Sequence, residues 1–455
     1  MSHPLPVNEV LWSPTGDMVI VICSSTVEGE VEEPLGTCFV WKVDAGACVF
    51  SFPERPVDPV WSPNGRFIVH AYEGARAFVR DARTGDVLLE VDADDHRHPS
   101  GSLIWHPSGE QIAVYWYGTS GHGRSPSGWT IWDVENRNVV FESEEEFHGW
   151  DPTGTRFVTR SDGRFVCWDA ATCERVMTIE GDDFEGWSPD GRHVVTTSFA
   201  NEPETMLWDR STGECLARTW LDMHTCTWSD DSSRVLVKGR NHHRPDSRFV
   251  YILWNTQDGE ILFEHHSPYP EVIPGSYFVA GGDAVFSPDG TKLSCEECWC
   301  HFDGHDSAET TERDSEVSDD RVHVYDLENG LEMHQFPHSN LLAWSPDGSL
   351  MAISLEAEDG HRIAVREVSS GEVVRDLVGS PFECWSPDGR LVAIAGVDGS
   401  VIDIWDPWVG RHLGSIPVMV DPDRPLAWGD VTWDPHGGRI AVAVGGGTVT
   451  FWALS

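Results

Sequence analysis

One short motif recurs along this chain, and it constrains the fold more than any other feature. It consists of an aromatic residue, then Ser, Asp or His, then Pro, any residue and Gly, with a degenerate copy at Trp228. A second motif, Trp-Asp or a close variant, ends the second apolar run after each copy, and sixteen of the 22 tryptophans fall in the two motifs. The first motif begins at Trp12, Trp61, Trp105, Trp150, Trp187, Trp228, Phe286, Trp344, Trp385 and Trp433.

The chemistry of the first motif predicts a tight turn between two antiparallel strands. In Ser-Pro-Asp-Gly the proline presets φ, the aspartate can bond back to the backbone and the glycine accepts a positive φ. The aromatic residue ahead of the turn suits the gap between neighbouring sheets. A second turn, such as Ser211-Thr-Gly213, leads into a fourth strand. Each repeat therefore predicts four short strands over about 45 residues, which is the pattern of a β-propeller blade.

These repeats resemble WD40-type repeats and the related TolB-like repeats of bacterial propellers, through Trp-Ser-Pro-Asp-Gly and Trp-Asp. The resemblance covers nearly the whole chain and implies an all-β propeller of about ten four-stranded blades. No repeat carries, ahead of its first strand, the Gly-His dipeptide that typical WD40 repeats use in a side-chain hydrogen-bond network.

The repeats predict a single propeller domain over residues 1–455. Ten repeats exceed the usual four to eight blades, so two smaller rings are the alternative to one large ring. A junction between rings would show as an extra linker, and the spacing between Trp187 and Trp228 is ordinary. We therefore expect one ring of ten blades around a wide channel.

Closure of that ring raises a separate question at the last repeat. The tenth repeat stops just after its third strand, at Ser455. The sequence supports two hypotheses: residues Ser2 to Pro6 pair with the missing edge, where prolines are tolerated, or the edge stays open for a partner strand.

Loop lengths carry the strongest functional signal in the sequence. The turns between strands one and two and between strands three and four are uniformly short, and every insertion falls in the other connections, which lie on the opposite face of a blade. Insertions on one face usually mark the binding face of a repeat protein. The insertions are 26–37, 118–127, 199–204, 239–247, 268–282, 299–320 and 420–430.

The insertions predict a non-catalytic scaffold or sensor module that binds another protein through this face. The alternative is an enzyme or small-ligand binder at the mouth of the central channel, although no Gly-x-Ser-x-Gly, His-Glu-x-x-His or phosphate-loop Gly-Lys motif occurs. Residue types enriched at interfaces fall in or beside the insertions. The candidate partner-binding residues are Trp116, Tyr117, Trp129, Arg240, Arg244, Tyr269, Tyr277, Phe278, Trp299 and Trp428.

Charge limits the kinds of partner that this chain can bind. Thirty-one basic residues against 75 acidic ones leave a formal charge of -44, which repels nucleic acid and anionic membranes and permits a basic protein partner. Residues 303–320 form an acidic run, which we interpret as a solvated loop or as an attractant for such a partner. The N-terminal residues show no secretory leader, so we expect a cytoplasmic protein with mostly reduced cysteines.

One cluster of thiols and imidazoles could bind zinc. Cys298, Cys300, His301 and His305 lie at the start of one insertion, whereas Cys295 aligns with Ile353 of the next repeat and is expected in the core. Thiolate and imidazole are the usual zinc ligands, but the spacing is not a pair of CxxC hooks. Both interpretations stay open: a zinc site, or thiols that act as small hydrophobic residues with no cofactor bound.

Overall fold

A computed structural model of the chain describes most of the ten repeats. The described residues are 3, 7–24, 36–52, 57–72, 76–92, 97–118, 127–199, 202–241, 247–268, 284–297, 321–337, 339–357, 360–379, 383–396, 400–418, 431–444 and 447–454.

The described residues form only β-strands and turns, which confirms the predicted all-β class. The strands build ten antiparallel sheets, and strands that are consecutive in the chain are neighbours in each sheet. Nine sheets have four strands, and the tenth has three strands within the described part of the chain. Each sheet is one blade, and the blades are numbered here in chain order.

The strands of the first five blades are bounded as follows. Blade 1 comprises β1 to β4, at Val7–Trp12, Met18–Ser24, Gly36–Lys42 and Ala47–Phe52. Blade 2 comprises β5 to β8, at Val57–Trp61, Phe67–Tyr72, Arg76–Asp81 and Val87–Asp92. Blade 3 comprises β9 to β12, at Arg97–Trp105, Gln111–Gly118, Ser127–Asp133 and Asn138–Ser143. Blade 4 comprises β13 to β16, at Glu146–Trp150, Arg156–Ser161, Arg164–Asp169 and Arg175–Glu180. Blade 5 comprises β17 to β20, at Asp183–Trp187, His193–Ser198, Glu204–Asp209 and Cys215–Thr219.

The remaining blades follow the same order. Blade 6 comprises β21 to β24, at Asp222–Trp228, Arg234–Arg240, Ser247–Asn255 and Ile261–Pro268. Blade 7 comprises β25 to β28, at Ala284–Phe286, Lys292–Glu297, Arg321–Asp326 and Leu331–Pro337. Blade 8 comprises β29 to β32, at Ser339–Trp344, Leu350–Ala357, Gly360–Glu367 and Val373–Gly379. Blade 9 comprises β33 to β36, at Glu383–Trp385, Val392–Ala395, Val401–Asp406 and Arg411–Pro417. Blade 10 comprises β37 to β39, at Val431–Trp433, Arg439–Val444 and Thr448–Ala453.

The hydrophobic core is divided into ten clusters, one between each pair of neighbouring blades. The tenth cluster joins the last blade to the first, because Ala441 and Val449 pack with Val10 and Val21. The indole of Trp12 crosses the same junction and donates to the carbonyl of Thr432 at 3.4 Å. The blades therefore form one closed ring, which confirms the single-ring prediction over two smaller rings.

The turn motif works through a buried acceptor side chain as well as through proline and glycine. In blade 5 the hydroxyl of Ser188 is fully buried and accepts the backbone N–H of His193 at 2.9 Å. Asp190 accepts the backbone N–H of Arg192 at 3.0 Å, and Gly191 has a φ of 67°. In eight of the other blades a Ser or Asp at the position of Ser188 accepts the corresponding N–H, which explains why this position is restricted to polar residues.

The two faces of the ring differ in their connections, as predicted. Because strands alternate in direction, the one-to-two and three-to-four turns of every blade share a face, which we call the short-turn face. The two-to-three connections and those between blades share the other, which we call the long-connection face. The flanking strands show that each of the seven insertions begins and ends on the long-connection face.

The N-terminal segment touches the tenth blade at one described residue. The backbone N–H of His3 donates to the carbonyl of Gly447, which precedes β39, at 2.6 Å. Its ring packs on Phe39 and Trp41 of blade 1, with centroids 4.9 and 5.4 Å away. The other residues of the proposed segment, from Ser2 to Pro6, lie outside the described residues.

One buried histidine makes the stability of blade 2 depend on pH. His70 in β6 is fully buried, lies 4.6 Å from the ring of Phe52 and accepts a 3.1 Å hydrogen bond from Arg80 Nε. Burial, assisted by the charge of Arg80, lowers the pKa of His70 from 6.5 to about 4. The unfolded chain therefore binds a proton between these two values that the folded chain does not.

We expect the unfolding free energy to fall as the pH drops below 6.5, by up to about 1.4 kcal/mol per pH unit from this group alone. Carboxylates titrate in the same range, so the relevant quantity is the difference between wild type and His70→Gln. Urea unfolding from pH 7 to pH 4.5 measures it. Wild type should lose stability faster than the variant on acidification. Parallel pH profiles of the two proteins would contradict the role given to buried His70.

Candidate functional site

The structure places four of the ten predicted partner-binding residues. Trp116 and Tyr117 lie in β10 and Trp129 lies in β11, so three of them share blade 3. Arg240 ends β22 in blade 6, opposite Asp222 of β21. The side chains of Trp116 and Trp129 are buried, at 5% and 6% exposure. Outside the described residues lie Arg244, Tyr269, Tyr277, Phe278, Trp299 and Trp428.

The predicted zinc ligands Cys298, Cys300, His301 and His305 also lie outside the described residues. Cys295, which was expected in the core, is 2% exposed and packs between blades 6 and 7, as predicted. Within the described ranges no group of three His, Cys, Asp or Glu side chains is arranged to hold a metal ion.

A pocket on the long-connection face lies where blade 3 meets blade 4. Its volume is about 420 Å³, and its lining comes from the ends of β10 and β11, the connection between β12 and β13, and the start of β13. Trp129 is the one predicted binding residue that contributes to it. The lining residues are Tyr115, Gly128, Trp129, Glu144, Glu145, Glu146 and Phe147.

The apolar wall of the pocket is a chain of aromatic rings. The centroid of Trp129 lies 5.1 Å from that of Tyr115 and 5.1 Å from that of Phe147, and these rings belong to the core cluster between blades 3 and 4. The buried indole N–H of Trp129 has no acceptor within the described part of the chain. A Cβ at Gly128 would lie 2.3 Å from the carbonyl of Ser143, so only glycine fits between these strands.

One wall of the pocket is held by a hydrogen-bond network within blade 4. Glu145 accepts from the hydroxyl of Thr159 and from Arg175, the latter at 2.9 Å. Thr159 in turn accepts the indole N–H of Trp168 at 2.7 Å. Glu145 directly precedes β13, so the network joins the start of the first strand of blade 4 to its second and third strands.

The pocket mouth is acidic. Glu145 is neutralised by Arg175, but Glu144 is exposed and the side chain of Glu146 is 63% exposed. His148 lies 3.8 Å from Glu146, and burial lowers the pKa of His148, so this imidazole is neutral at pH 7. The lining contains acidic, aromatic and glycine residues and no basic one. Its electrostatic complement is therefore a cationic side chain.

Sequence reasoning missed most of the pocket because it searched the insertions. Glu144 and Glu145 belong to a short connection between blades, and Tyr115 lies within a strand. The available signal was the run Glu144-Glu145-Glu146 directly ahead of a repeat anchor. That run alone does not show that aromatic rings of the preceding blade stand behind it.

Comparisons with known proteins agree with the fold. No protein-family model matches the chain. A crystal structure of a eukaryotic initiation factor matches with a TM-score of 0.55 and 12% identity, covering 84% of this chain and 93% of that chain. The C-terminal WD40 domain of Sif2 matches with a TM-score of 0.41 and 12% identity, covering 88% and 96% of the two chains. The Dos1 propeller matches with a TM-score of 0.40 and 13% identity, covering 79% and 94%.

At these identities a likeness concerns the fold alone. Of these three, the initiation-factor structure has a TM-score above 0.5, and its likeness to this chain is one of fold. The function must be argued from the residues of this chain.

Proposed function

We propose that this chain is a non-catalytic interaction module that binds another protein through its long-connection face. The observation that carries the proposal is the confinement of all seven insertions to that face. The closed ring fixes the strand ends that flank these insertions, as scaffolds do for binding loops. The pocket between blades 3 and 4 opens among the same strand ends, which supports the choice of this face.

The partner in this proposal presents a basic side chain to the pocket. Glu144 and Glu146 supply exposed negative charge at the mouth, which attracts a cationic side chain. The net charge of -44 adds long-range attraction for a basic surface and accelerates association at low salt.

We propose that this interaction takes place in the cytoplasm. The nine cysteines within the described residues are all free thiols, which suits a reducing compartment. The described part of the chain contains no helix with the length and apolarity needed to cross a bilayer.

We expect the double variant Glu144→Lys, Glu146→Lys to weaken partner binding at least about tenfold, since it replaces attraction by repulsion at the pocket mouth. The matched control is Glu174→Lys, Glu214→Lys, which makes the same change in net charge at exposed turns of the short-turn face. Tagged wild type and both variants are used to capture protein from a native lysate, and the bound polypeptide is quantified.

The control should retain the partner and the pocket variant should lose it. Equal losses in both variants would show that only net charge matters. Loss in the control alone would place the interface on the short-turn face and contradict the proposal.

A further inference from the structure

The pocket between blades 3 and 4 has the composition of a site for a weakly hydrated cation. Three aromatic rings line it, those of Tyr115, Trp129 and Phe147, together with carboxylates at its mouth. The face of an aromatic ring attracts a cation electrostatically, and the attraction is strongest for Trp. The pocket volume of about 420 Å³ lies within the usual range for small ligands, about 300–1,000 Å³, so the head group of a side chain fits inside.

The three rings form a curved wall that exists before any ligand binds. The plane of Trp129 is tilted by 55° from that of Tyr115 and by 43° from that of Phe147. Because all three line one recess, rings inclined in this way surround a rounded group rather than a flat one. Trp129 and Phe147 are buried in the core cluster between these blades, and a side chain at Gly128 would clash with the neighbouring strand. The wall is therefore preorganised for binding.

The lining offers few hydrogen-bond acceptors to an ordinary ammonium group. Among its side chains only three carboxylates and the Tyr115 hydroxyl can accept hydrogen bonds. Both oxygens of Glu145 already accept, one from Thr159 and the other from Arg175, and the other two carboxylates are exposed. An unmodified lysine brings three N–H donors, so its transfer from water to the aromatic wall would leave donors unsatisfied. A trimethylated lysine keeps the positive charge and has no N–H donor to satisfy.

We propose that this pocket binds a trimethylated lysine side chain of the partner protein. The inference rests on the proposed function, because the partner supplies the lysine. The trimethylammonium group lies against the rings of Tyr115, Trp129 and Phe147. The exposed carboxylates of Glu144 and Glu146 attract its charge from the pocket mouth. The aliphatic stem of the lysine passes through the mouth and joins the head group to the partner's backbone.

The first test titrates defined probes into the full chain by isothermal titration calorimetry. We expect the methylamide of Nα-acetyl-trimethyl-lysine to bind at least about fivefold more tightly than the same compound with unmodified lysine, because it has no N–H hydration to lose at the rings. A third probe, in which carbon replaces the quaternary nitrogen, has the same shape without the charge. It should bind at least about fivefold more weakly than the trimethylated probe.

Tyr115, the half-buried member of the wall, provides the variants for a second test. Tyr115→Leu removes the ring and keeps an apolar side chain, so it should weaken binding of the trimethylated probe at least about fivefold. Tyr115→Phe keeps the ring and should bind more tightly than Tyr115→Leu. The matched control is Phe199→Leu, which removes a ring that is 46% exposed beside β18 of blade 5, on the same face. This control should bind the probe like wild type, and urea unfolding of each variant checks that it is folded.

Several results would overturn the proposal. The trimethylated probe would fail to bind at millimolar concentration, or would bind no more tightly than unmodified lysine or the neutral probe. Equal losses in Tyr115→Leu and Phe199→Leu would also contradict it. Choline carries the same head group without the lysine stem and should bind more weakly than the trimethylated probe. Tighter binding of choline would assign the pocket to a free small molecule and contradict a lysine of a partner.

The outcomes for the pocket and for the proposed function can be told apart. The probes contain no partner protein, so a negative titration overturns the trimethyl-lysine assignment and leaves the capture of a partner through the long-connection face as it stands. Probe binding that depends on Tyr115, together with equal partner capture by wild type and by the Glu144→Lys, Glu146→Lys variant, would support the pocket and count against the proposed function.

Discussion

Replacing Asp151 with alanine is expected to lower the free energy of unfolding by about 3 kcal/mol. Asp151 occupies the acceptor position of the fourth anchor turn, and its side chain is fully buried. One oxygen accepts the backbone N–H of Arg156 at 2.7 Å, and the other accepts from Arg210 of blade 5 at 2.6 Å. Alanine would leave a buried N–H and a largely buried guanidinium without this acceptor. Because Arg210 keeps 24% exposure, we expect the lower end of the usual range for a broken buried pair.

The matched variant is Asp151→Ser. Serine occupies this position in most other blades and accepts the same backbone N–H, as Ser188 does from His193. It should therefore restore the turn, lose the contacts of the second carboxylate oxygen with Arg210, Thr153 and Thr155, and be intermediate in stability. Urea unfolding followed by tryptophan fluorescence measures all three proteins. An alanine variant as stable as wild type, or a serine variant no better than alanine, would refute the role given to this side chain.

The second large effect is expected for Phe157→Ala, which should lower the free energy of unfolding by about 3–5 kcal/mol. Phe157 is fully buried between blades 3 and 4. Its ring centroid lies 4.9 Å from Phe141, 5.3 Å from Trp150, 5.8 Å from Phe147 and 5.9 Å from Trp168. Truncation opens a cavity in the middle of these rings and removes support from the Phe147 wall of the pocket.

Two further variants control for composition and for size. Phe199→Ala removes a phenyl group that is 46% exposed and should change stability by less than about 0.5 kcal/mol. Phe157→Leu keeps most of the buried volume, so its free energy of unfolding should fall less than that of Phe157→Ala. Similar losses at positions 157 and 199 would show that the cluster between these blades does not carry the stability assigned to it.

The fold could be predicted from the sequence because its signals are local. Proline and glycine act within four residues in nine of the ten anchors, so the motif defines a turn wherever it occurs in full. The number of anchors then gives the blade count. The acceptor role of the residue before the proline was missed, although Ser, Asp and His share the ability to accept a hydrogen bond.

The candidate site was less predictable because it depends on contacts between blades. Tyr115 and Phe147 are 32 positions apart in the sequence, and only the ring places them around one pocket. Trp116 and Trp129 were selected because they adjoin an insertion, yet both are buried in the blade. Each indole lies two residues from a buried aliphatic residue of the same strand, Val114 for Trp116 and Ile131 for Trp129. Residues two apart in a strand share a face, so this spacing was the signal that both indoles face the core.

The central claim is that the ten blades form one closed ring, so that the long connections of all ten blades belong to a single surface. Electron cryomicroscopy of the full chain tests this claim most directly. We predict face-on views with ten lobes around one channel, the first and last blades in contact as Val10 and Ala441 require. Two separate smaller rings, or a gap between the first and tenth lobes, would contradict it.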